Sequence, residues 1–368
     1  MRIGILLPGF SSDEHDLAIP VQHHLVRALA QQHDVRVLAL RYPHRRASYT
    51  IGAARVMALG AAQGRGASRL LLWAEALYRL AGMHRAQPFD VLHAMWADEC
   101  GLLAGWAGRL LGVPAVVSVA GGELVGFDDI AYGLQRGALG RWTVRRALKG
   151  AHVVIAACTY TRRLLAPFAL PDVRILPLGV DTAHFCPDET PRLPGHLLHV
   201  ASLVGVKDQA TLLRALARLP QEVTLDIVGT GPEEGRLRAL ADTLGVSRRV
   251  QFVGAVAHHN LPPYYRRAAL HVLSSRHEGL GMVTLEAAAC GLASVSTAVG
   301  LLPDWPELGV WVPVGDDAAL AAAIAGLLAD DTRRAALGES ALRLARARFG
   351  VETTASALTA LYAALQKV

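Results

Sequence analysis

Two glutamates eight residues apart, Glu278 and Glu286, bracket the segment best suited to binding a ligand. An apolar run predicts a strand that ends at Leu273, and Gly279 and Gly281 then open a helix that includes Glu286. Glycines let the backbone approach a ligand closely, and the free amides of a helix start can hold a diphosphate. Glu286 can then accept hydrogen bonds from ribose hydroxyls, while Glu278 reaches a sugar beyond the phosphates. Spacing alone would favour two solvated carboxylates, but the strand and the glycines favour a binding site.

The elements around this segment alternate between strands and helices, which predicts α/β architecture with parallel sheets. A chain of 368 residues is too long for one core, so two domains are expected. Predicted strands of the first half are Arg2–Leu7, Val35–Leu40, Asp90–His93, Ala115–Val119, His152–Ala156 and Arg174–Leu176. Those of the second half are Leu197–Ala201, Thr224–Val228, Val250–Val253, Leu270–Leu273 and Ser294–Ser296.

A proline-rich stretch at residues 186–195 divides the two sets of strands and is the predicted linker. The predicted domains are residues 1–185 and 196–345, followed by a C-terminal helix at 346–368 that can return to the first domain. Asp316 and Asp331 are predicted helix N-caps in the tail. Two doubly wound sheets leave a cleft that faces the carboxyl ends of their strands, where ligands of such folds bind.

The segment from Leu273 to Leu292 resembles the E-x7-E region of glycosyltransferase family 4, the retaining enzymes of the GT-B fold. Further similarities are found at Gly179–Phe185, Leu203–Leu213, Ile227–Pro232, Val253–Ala255 and Asp90–His93. The resemblance implies a transferase with two Rossmann-like domains that moves a sugar from a nucleoside diphosphate such as a UDP- or GDP-sugar. It also implies retention of anomeric configuration.

The resemblance assigns roles to individual positions of this sequence. Lys207 is similar to the lysine that neutralises the donor diphosphate, so the predicted catalytic residues are Lys207 and Glu278. Because no D-x-D triplet occurs, we expect no metal and no cofactor. The predicted donor-binding residues are Gly9, Gly229, Gly254, Glu278, Gly279, Leu280, Gly281, Met282 and Glu286. The predicted acceptor contacts are Asp98 and Glu123. A glycine at position 9 is explained equally well by a simple turn as by contact with the donor.

Two positions depart from the family pattern. Ser202 stands five residues before Lys207, where relatives commonly carry an arginine, and Ala120 stands where many have a histidine near the donor sugar. Arg276 or His277 could compensate. Otherwise the protein is a weakened nucleotide-sugar-binding or regulatory relative. The intact Lys207 favours an active enzyme over that alternative and over an epimerase or a phosphorylase.

Charge is unevenly distributed along the chain. Residues 1–180 hold 20 Lys and Arg against 12 Asp and Glu, whereas the remainder holds 17 against 19. The basic half could meet an anionic acceptor or a membrane surface, although solvated charge on helices explains it equally well. The helix-rich region at 51–85 is the predicted acceptor side, and its amphipathic segment Ser68–Leu80 fits a core-facing helix better than an interfacial one. A saccharide, lipid-linked or small-molecule acceptor is expected, and nucleic acid is not. The absence of an apolar leader favours a cytoplasmic protein, with peripheral contact at the inner membrane face as the alternative.

Overall fold

The computed structural model describes residues 1–16, 19–62, 64 and 66–366, and its chain forms two compact units. The first unit comprises Met1–Gly179 together with the C-terminal segment that starts at Val351. The second unit is Val180–Gly350. The last two residues of the predicted C-terminal segment lie outside the described residues.

The first unit is built on one sheet of eight strands within the described residues. These are β1 (Arg2–Gly9), β2 (Asp34–Tyr42), β3 (Ala47–Ile51), β4 (Ala54–Ala58), β5 (Val91–Ala94), β6 (Ala115–Ser118), β7 (Val153–Ala156) and β8 (Val173–Ile175). Their order is β3-β4-β2-β1-β5-β6-β7-β8, and every pair is parallel except β3 with β4. Their helices are α1 (Pro20–Ala30), α2 (Ala67–Ala86), α3 (Glu99–Leu111), α4 (Ala138–Gly150) and α5 (Thr159–Leu165).

The hairpin of β3 and β4 was not predicted from the sequence. Its second half occupies residues 51–58, the first eight of the region 51–85 that was predicted to be rich in helix. Gly52 turns the chain with a φ of +54°, in the left-handed region that favours glycine. Arg55 is exposed, whereas Ala54 and Val56 are buried, so the burial pattern has the period of a strand. This run was too short to be recognised from its sequence alone.

The C-terminal helix (Val351–Leu365) packs against α1 of the first unit. Tyr362 Oη lies 2.6 Å from Nδ1 of His93 on β5, and Nε2 of His93 lies 2.8 Å from Ser118 Oγ on β6. Burial lowers the pKa of His93 to about 3, so the imidazole is neutral. This buried chain of hydrogen bonds attaches the end of the protein to the centre of the first sheet.

The second unit has a six-stranded parallel sheet in the described chain. Its strands are β9 (His196–Val200), β10 (Thr224–Val228), β11 (Val250–Gly254), β12 (Leu270–Leu273), β13 (Ser294–Thr297) and β14 (Gly309–Val312). Its helices are α6 (Gln209–Ala217), α7 (Glu234–Thr243), α8 (Pro262–Arg267), α9 (Met282–Ala289), α10 (Asp317–Leu328) and α11 (Asp331–Arg348). Asp316 caps α10 as expected, but Asp330, one residue before the predicted Asp331, caps α11.

Residues 186–195, the expected linker, lie inside the second unit and not at its boundary, which falls at Val180. Arg192 explains why this segment is held in place. Its guanidinium donates hydrogen bonds of 2.9 to 3.3 Å to five backbone carbonyls, those of Tyr265, Arg266, Ala268, Cys290 and Gly291. The prolines therefore belong to a segment that packs against α8 and the residues that follow α9 in the second unit.

Candidate active site

Strand order in the second sheet places one pair of loops together. The order is β11-β10-β9-β12-β13-β14, so the chain moves outward from β9 and then returns to its other side at β12. Between β9 and β12 the connections leave in opposite directions, which opens a crevice at the carboxyl ends of these strands. The loop after β9 carries Lys207, and the loop after β12 carries Glu278.

Lys207 and Glu278 form an ion pair in this crevice. Lys207 Nζ lies 2.5 Å from Glu278 Oε1, and Ser275 Oγ donates to the same oxygen at 2.6 Å. The two loops are also joined through their backbones, because Arg276 N donates to Val206 O at 2.8 Å. The side chains of Lys207 and Glu278 keep 23% and 11% of their surface exposed, so a ligand can reach the pair. The structure therefore brings together the two residues predicted to be catalytic.

Helix α9 starts next to this pair. Gly281 precedes its first residue, Met282, with a φ of +90°, a conformation that glycine adopts without strain. No side chain within the described residues caps this helix start. The Leu280 carbonyl accepts from the Leu301 amide at 2.8 Å, which fixes the approach to the helix. A start of this kind presents backbone amides to an anion. The donor role predicted for Gly279, Leu280, Gly281 and Met282 stays a prediction, which this geometry suits.

Glu286 lies deeper, and both of its oxygens have partners. Tyr265 Oη donates to Oε2 at 2.7 Å, and His258 Nε2 lies 2.9 Å from Oε1. The ring of Phe185 packs against His258 and Tyr265, with centroid distances of 5.0 and 5.8 Å. Burial and the neighbouring Glu286 carboxylate raise the pKa of Tyr265 well above its usual value, so its hydroxyl remains a donor. Glu286 is 6% exposed, and the structure thus holds this carboxylate in one orientation.

His258 contacts Glu286, and it was not among the site residues predicted from the sequence. Its sequence context showed no carboxylate partner, but the fold brings it to Glu286, 28 positions away. The contact depends on β11 and the turn after it meeting α9, which no local pattern encodes. His23 similarly lies 3.9 Å from Glu14 in the first unit.

Gly229 and Gly254 hold the neighbouring loops close together. Gly229 N donates to Gly254 O at 2.8 Å, and both glycines have positive φ, +136° and +84°. A Cβ on Gly229 would collide with the carbonyl oxygen of Ala201 at the end of β9. The close approach of the loops and the positive φ values explain why glycine occurs at both positions without a ligand. Donor contact by these glycines stays a prediction.

In the first unit, Glu123 holds two loops together. Its Oε1 accepts from the amides of Ala97 and Ala120 at 3.2 and 2.8 Å, and its Oε2 accepts from Gly121 at 2.8 Å. Glu123 is 2% exposed. The carboxylate therefore joins the loops after β5 and β6, and acceptor contact by Glu123 stays a prediction.

Asp98 and Gly9 also follow strands of the first sheet. Asp98 caps α3 by accepting from the Cys100 amide at 2.8 Å, and it lies on the wall of a cavity. Gly9 ends β1, where a Cβ would approach the Cβ of Tyr42 to 2.8 Å. Close packing against Tyr42 is a reason for glycine here that needs no ligand. Acceptor contact by Asp98 and donor contact by Gly9 both stay predictions.

The amino-acid sequence matches known families along most of its length. Residues 191–343 match the family described as "Glycosyl transferases group 1", and residues 19–181 match "Glycosyl transferase 4-like domain". The GDP-mannose-dependent alpha-(1-6)-phosphatidylinositol monomannoside mannosyltransferase of Mycolicibacterium smegmatis is 31% identical over 292 residues, covering 72% of this chain and 73% of that relative. The chain belongs to glycosyltransferase family 4.

Solved structures agree with this membership. Sucrose-phosphate synthase from Thermosynechococcus elongatus superposes with a TM-score of 0.83 at 25% identity, covering 99% of each chain. Anabaena HepE, solved in complex with UDP, superposes with a TM-score of 0.75 at 18% identity, covering 99% of this chain and 100% of its own. The two parallel-sheet units and these likenesses confirm the predicted GT-B fold for this glycosyltransferase.

In this family 4 protein, the two positions that depart from the family pattern are Ser202 and Ala120. Ser202 is exposed, and its carbonyl accepts from Gln209 Nε2 at 3.0 Å. Because its side chain is neutral, it does not replace the charge of the arginine found in relatives. The Ala120 amide is taken by Glu123. Arg276 lies on the loop after β12, and its amide donates to the carbonyl of Val206, one residue before Lys207. Compensation by Arg276 stays a prediction.

None of the helices in the described part of the chain is both long and apolar enough to cross a bilayer. Within the same residues, no three His, Cys, Asp or Glu side chains are grouped so that they could hold a metal ion.

Asp98 gives this glycosyltransferase a testable pH dependence. Burial, then the charges of Glu123 and Glu99, raise the pKa of Asp98 to about 7, although the amide of Cys100 opposes the shift. Because the folded pKa exceeds the ordinary value of 3.8, the ionised form is penalised in the folded state. The wild type therefore loses stability as pH rises from about 4 to about 7, and the loss is constant above that range.

Asp98→Asn cannot ionise, so its advantage over the wild type should grow between pH 4 and pH 8. We expect a gain of about 1–2 kcal/mol, less than a full conversion of the shift because the carboxylate is only partly buried. Thermal unfolding across this pH range should show a difference in Tm of a few degrees. Asp330→Asn, at the exposed N-cap of α11, is the matched control. Parallel pH profiles for wild type and Asp98→Asn would contradict the raised pKa.

Proposed function

We propose that this protein transfers a sugar from a nucleoside diphosphate sugar, with retention of anomeric configuration, to a saccharide or lipid-linked acceptor of the cell envelope. The observation that carries the proposal is the Lys207–Glu278 pair beside the uncapped start of α9. One fixed cation and a set of helix amides suit a diphosphate, and Glu278 suits a sugar hydroxyl. Each Glu286 oxygen has one partner within the protein and keeps a second lone pair, which we expect to accept from a ribose hydroxyl.

Lys207 supplies the chemistry that the reaction needs most. Breaking the bond between sugar and diphosphate moves negative charge onto the leaving phosphate, and a cation held in place stabilises that charge in the transition state. We propose that Lys207 and the amides of α9 do this without a metal ion. The resemblance to family 4 supports retention, in which the acceptor attacks from the face that the leaving group occupies and a donor phosphate oxygen takes the acceptor proton.

The relatives support the choice of donor and acceptor. A mannosyltransferase that uses GDP-mannose and a phosphatidylinositol monomannoside is similar to this chain over 72% of its length. A structural neighbour was solved with UDP and with UDP-glucose. GDP-mannose and UDP-glucose are therefore the first donors to test, and a cytoplasmic protein working at the inner membrane face fits such acceptors.

Thermal unfolding with UDP, GDP, ADP and dTDP, each in the presence of EDTA, tests the proposal. A nucleotide at about 100 times its Kd should add about 2.7 kcal/mol, which raises Tm by several degrees. One nucleotide should stabilise the protein, and the shift should disappear in Lys207→Ala. The anomeric proton of the product, followed by NMR, then distinguishes retention from inversion. No shift with any nucleotide, with or without added metal, would contradict the proposed donor site.

A second function is favoured by Ser202 and Ala120. Loss of the family's arginine and histidine would leave a protein that binds a nucleotide sugar and turns it over slowly or not at all. A nucleotide-dependent shift in Tm without donor hydrolysis or transfer to any acceptor would favour this regulatory alternative. Turnover that falls in Arg276→Gln would instead identify the compensating cation.

A further inference from the structure

The first sheet ends on one side at β3, whose outer edge is unpaired. The order of the sheet places β3 outermost, next to β4. The amide of Leu59, just after β4, donates to the carbonyl of Ala39 on β2, so every second residue of β4 directs its backbone towards β2. The alternate residues of β4 bond to β3, and in that register Ser48 and Thr50 direct their N–H and C=O groups outwards. Among the described residues, these outward groups have no hydrogen-bond partner.

The edge at β3 also lacks the usual protection. Natural proteins protect a sheet edge with charged side chains, proline, a bulge or a covering element. β3 has the sequence Ala-Ser-Tyr-Thr-Ile, without charge or proline, and its pairing with β4 is regular. The side chains of Ser48 and Thr50 are exposed. Because tyrosine, threonine and isoleucine favour strands, β3 is suited to accept a further strand through backbone hydrogen bonds.

A groove of about 360 Å³ lies beside this edge, on the face of the sheet where α2 packs. Its lining includes Ser48 and Thr50 from β3, Arg55 and Met57 from β4, Arg36 from β2 and Met83 from α2. Met57 is opposite Ser48 in the hairpin, so this part of the groove is apolar. Arg55 is opposite Thr50 and in register with Arg36 on β2, so the other part is basic.

The basic part of the groove holds one arginine that no carboxylate neutralises. Arg36 donates to both oxygens of Asp34, at 2.8 and 3.0 Å, and Arg2 approaches the same carboxylate to 3.4 Å. The nearby Asp90 accepts from the backbone amide of Arg2 at 2.6 Å. Arg55 is exposed, and its guanidinium has no hydrogen bond or ion pair within the part of the chain that the structure describes. No acidic residue of that part lines the groove.

Arg55 can reach a carboxylate on a strand added beside β3. Neighbouring strands are about 4.8 Å apart, so the added strand would lie about 10 Å from β4. The side chain of Thr50 between them is small, and an arginine and a glutamate together span that distance. Two positions away on the same face, a residue of the added strand would lie beside Ser48, over the flexible side chains of Met57 and Met83. The groove therefore fits a segment with an acidic and an apolar residue two positions apart.

We propose that β3 and this groove bind an extended acidic segment of another protein, which joins the sheet as a further strand. Its carboxylate would pair with Arg55, and its apolar side chain would cover Met57 and Met83. A second copy of this chain is a poorer match, because the side chains of its own β3 include no carboxylate. The groove lies near the start of β2, whereas the predicted acceptor contacts follow the carboxyl ends of β5 and β6. This inference therefore does not depend on the proposed sugar transfer.

Titration calorimetry with a capped heptapeptide, Thr-Leu-Thr-Glu-Thr-Leu-Thr, tests the charge and the spacing. Its glutamate and leucines share one face, so the peptide fits β3 in either direction. The wild type should bind it at least about 10-fold more tightly than the same peptide with lysine in place of glutamate. Arg55→Glu should reverse this preference. Equal affinities of the wild type for the two peptides would contradict the proposal.

Arg163→Glu is the matched control for the charge reversal. Arg163 is an exposed arginine on α5, which packs near β8 at the opposite edge of the same sheet. We expect this variant to keep the wild-type preference for the glutamate peptide. If Arg163→Glu changed the preference as much as Arg55→Glu does, the attraction would be diffuse charge and the groove would not be the binding site.

N-methylation of the peptide tests strand pairing itself. A strand pairs with β3 through one of its edges, so only one of its two alternate sets of amides can take part. Methylation of the leucine and glutamate amides, or else of the threonine amides between them, should abolish binding in one case and preserve it in the other. Equal effects of the two sets would contradict the added strand.

Thr50→Pro tests the same pairing from the protein's side. It removes an outward N–H that β4 does not use, and proline is tolerated at such an edge position. We expect peptide affinity to fall about 10-fold, while Thr50→Val, which keeps the backbone donor, should retain it. Unchanged affinity in a folded Thr50→Pro would contradict the proposal. If the proline variant has a strongly reduced Tm, the methylated peptides decide the question.

Three further measurements identify other outcomes. Free glutamate should not compete with the peptide; strong competition would show a small-anion site and contradict the proposal. Light scattering should give the same mass for wild type and Thr50→Pro, since a dimer that this variant dissociates would place a second copy on β3. The nucleotide-dependent shift in Tm should be unaltered in Arg55→Glu. Peptide binding without any nucleotide shift would contradict the proposed transferase and leave the docking edge standing.

Discussion

Lys207→Ala is expected to lower the turnover of sugar transfer about 10²- to 10³-fold, the usual cost of removing one group that stabilises transition-state charge. Lys207 is held by Glu278 at 2.5 Å within a crevice at the sheet's switch point, so its charge is in place before the donor binds. A pre-placed cation needs little reorganisation when the diphosphate departs. The measurement is kcat and KM with saturating acceptor.

Arg218→Ala is the matched control for this change. Arg218 pairs with Asp317 at 2.5 Å in the same unit, but the guanidinium side chain is 55% exposed and lies on the end of α6, away from the crevice. We expect it to keep wild-type turnover. If Lys207→Ala also kept turnover within about twofold, Lys207 would have no part in stabilising the leaving group. A reduced Tm in Lys207→Ala without ligand would identify loss of fold as the cause.

Glu286→Ala is expected to weaken nucleotide binding about 10- to 100-fold, because hydrogen bonds to a charged group each contribute about 1.5–3 kcal/mol. The carboxylate is buried and oriented by Tyr265 and His258, so a ribose would meet an acceptor of fixed direction. Titration calorimetry with the preferred nucleotide measures the change. The truncation also strands the Tyr265 hydroxyl, which should cost about 1–3 kcal/mol of stability.

Tyr265→Phe separates these two effects. It keeps the Glu286 carboxylate and its contact with His258, and it removes only the hydroxyl that donates at 2.7 Å. We expect nucleotide affinity to fall far less than in Glu286→Ala while stability falls comparably. Equal affinities for wild type and Glu286→Ala would remove Glu286 from the ribose site and leave it a structural carboxylate.

Much of the fold could be predicted from local patterns. The strands of the second unit, β9 to β13, coincide with apolar runs separated by turns, because buried parallel strands need continuous hydrophobic residues. The hairpin of β3 and β4 could not be recognised, because five-residue strands with exposed polar positions resemble a helix segment or a loop. The position of the linker was also misleading, since Arg192 anchors a proline-rich stretch to carbonyls that are distant in sequence.

The sequence by itself indicated which residues are predicted to do the chemistry of this protein. Glycines and an apolar strand before Glu278 indicate a helix start that can hold an anion, and these are local properties of backbone and burial. Only the tertiary structure decided which of those residues meet. Lys207 reaches Glu278 because β9 and β12 are neighbours, and His258 reaches Glu286 because α9 packs beside the turn after β11. The same holds for Glu123, whose carboxylate accepts from amides of the loops after β5 and β6. The physical reason is that side-chain contacts between distant residues depend on strand order, which periodicity does not encode.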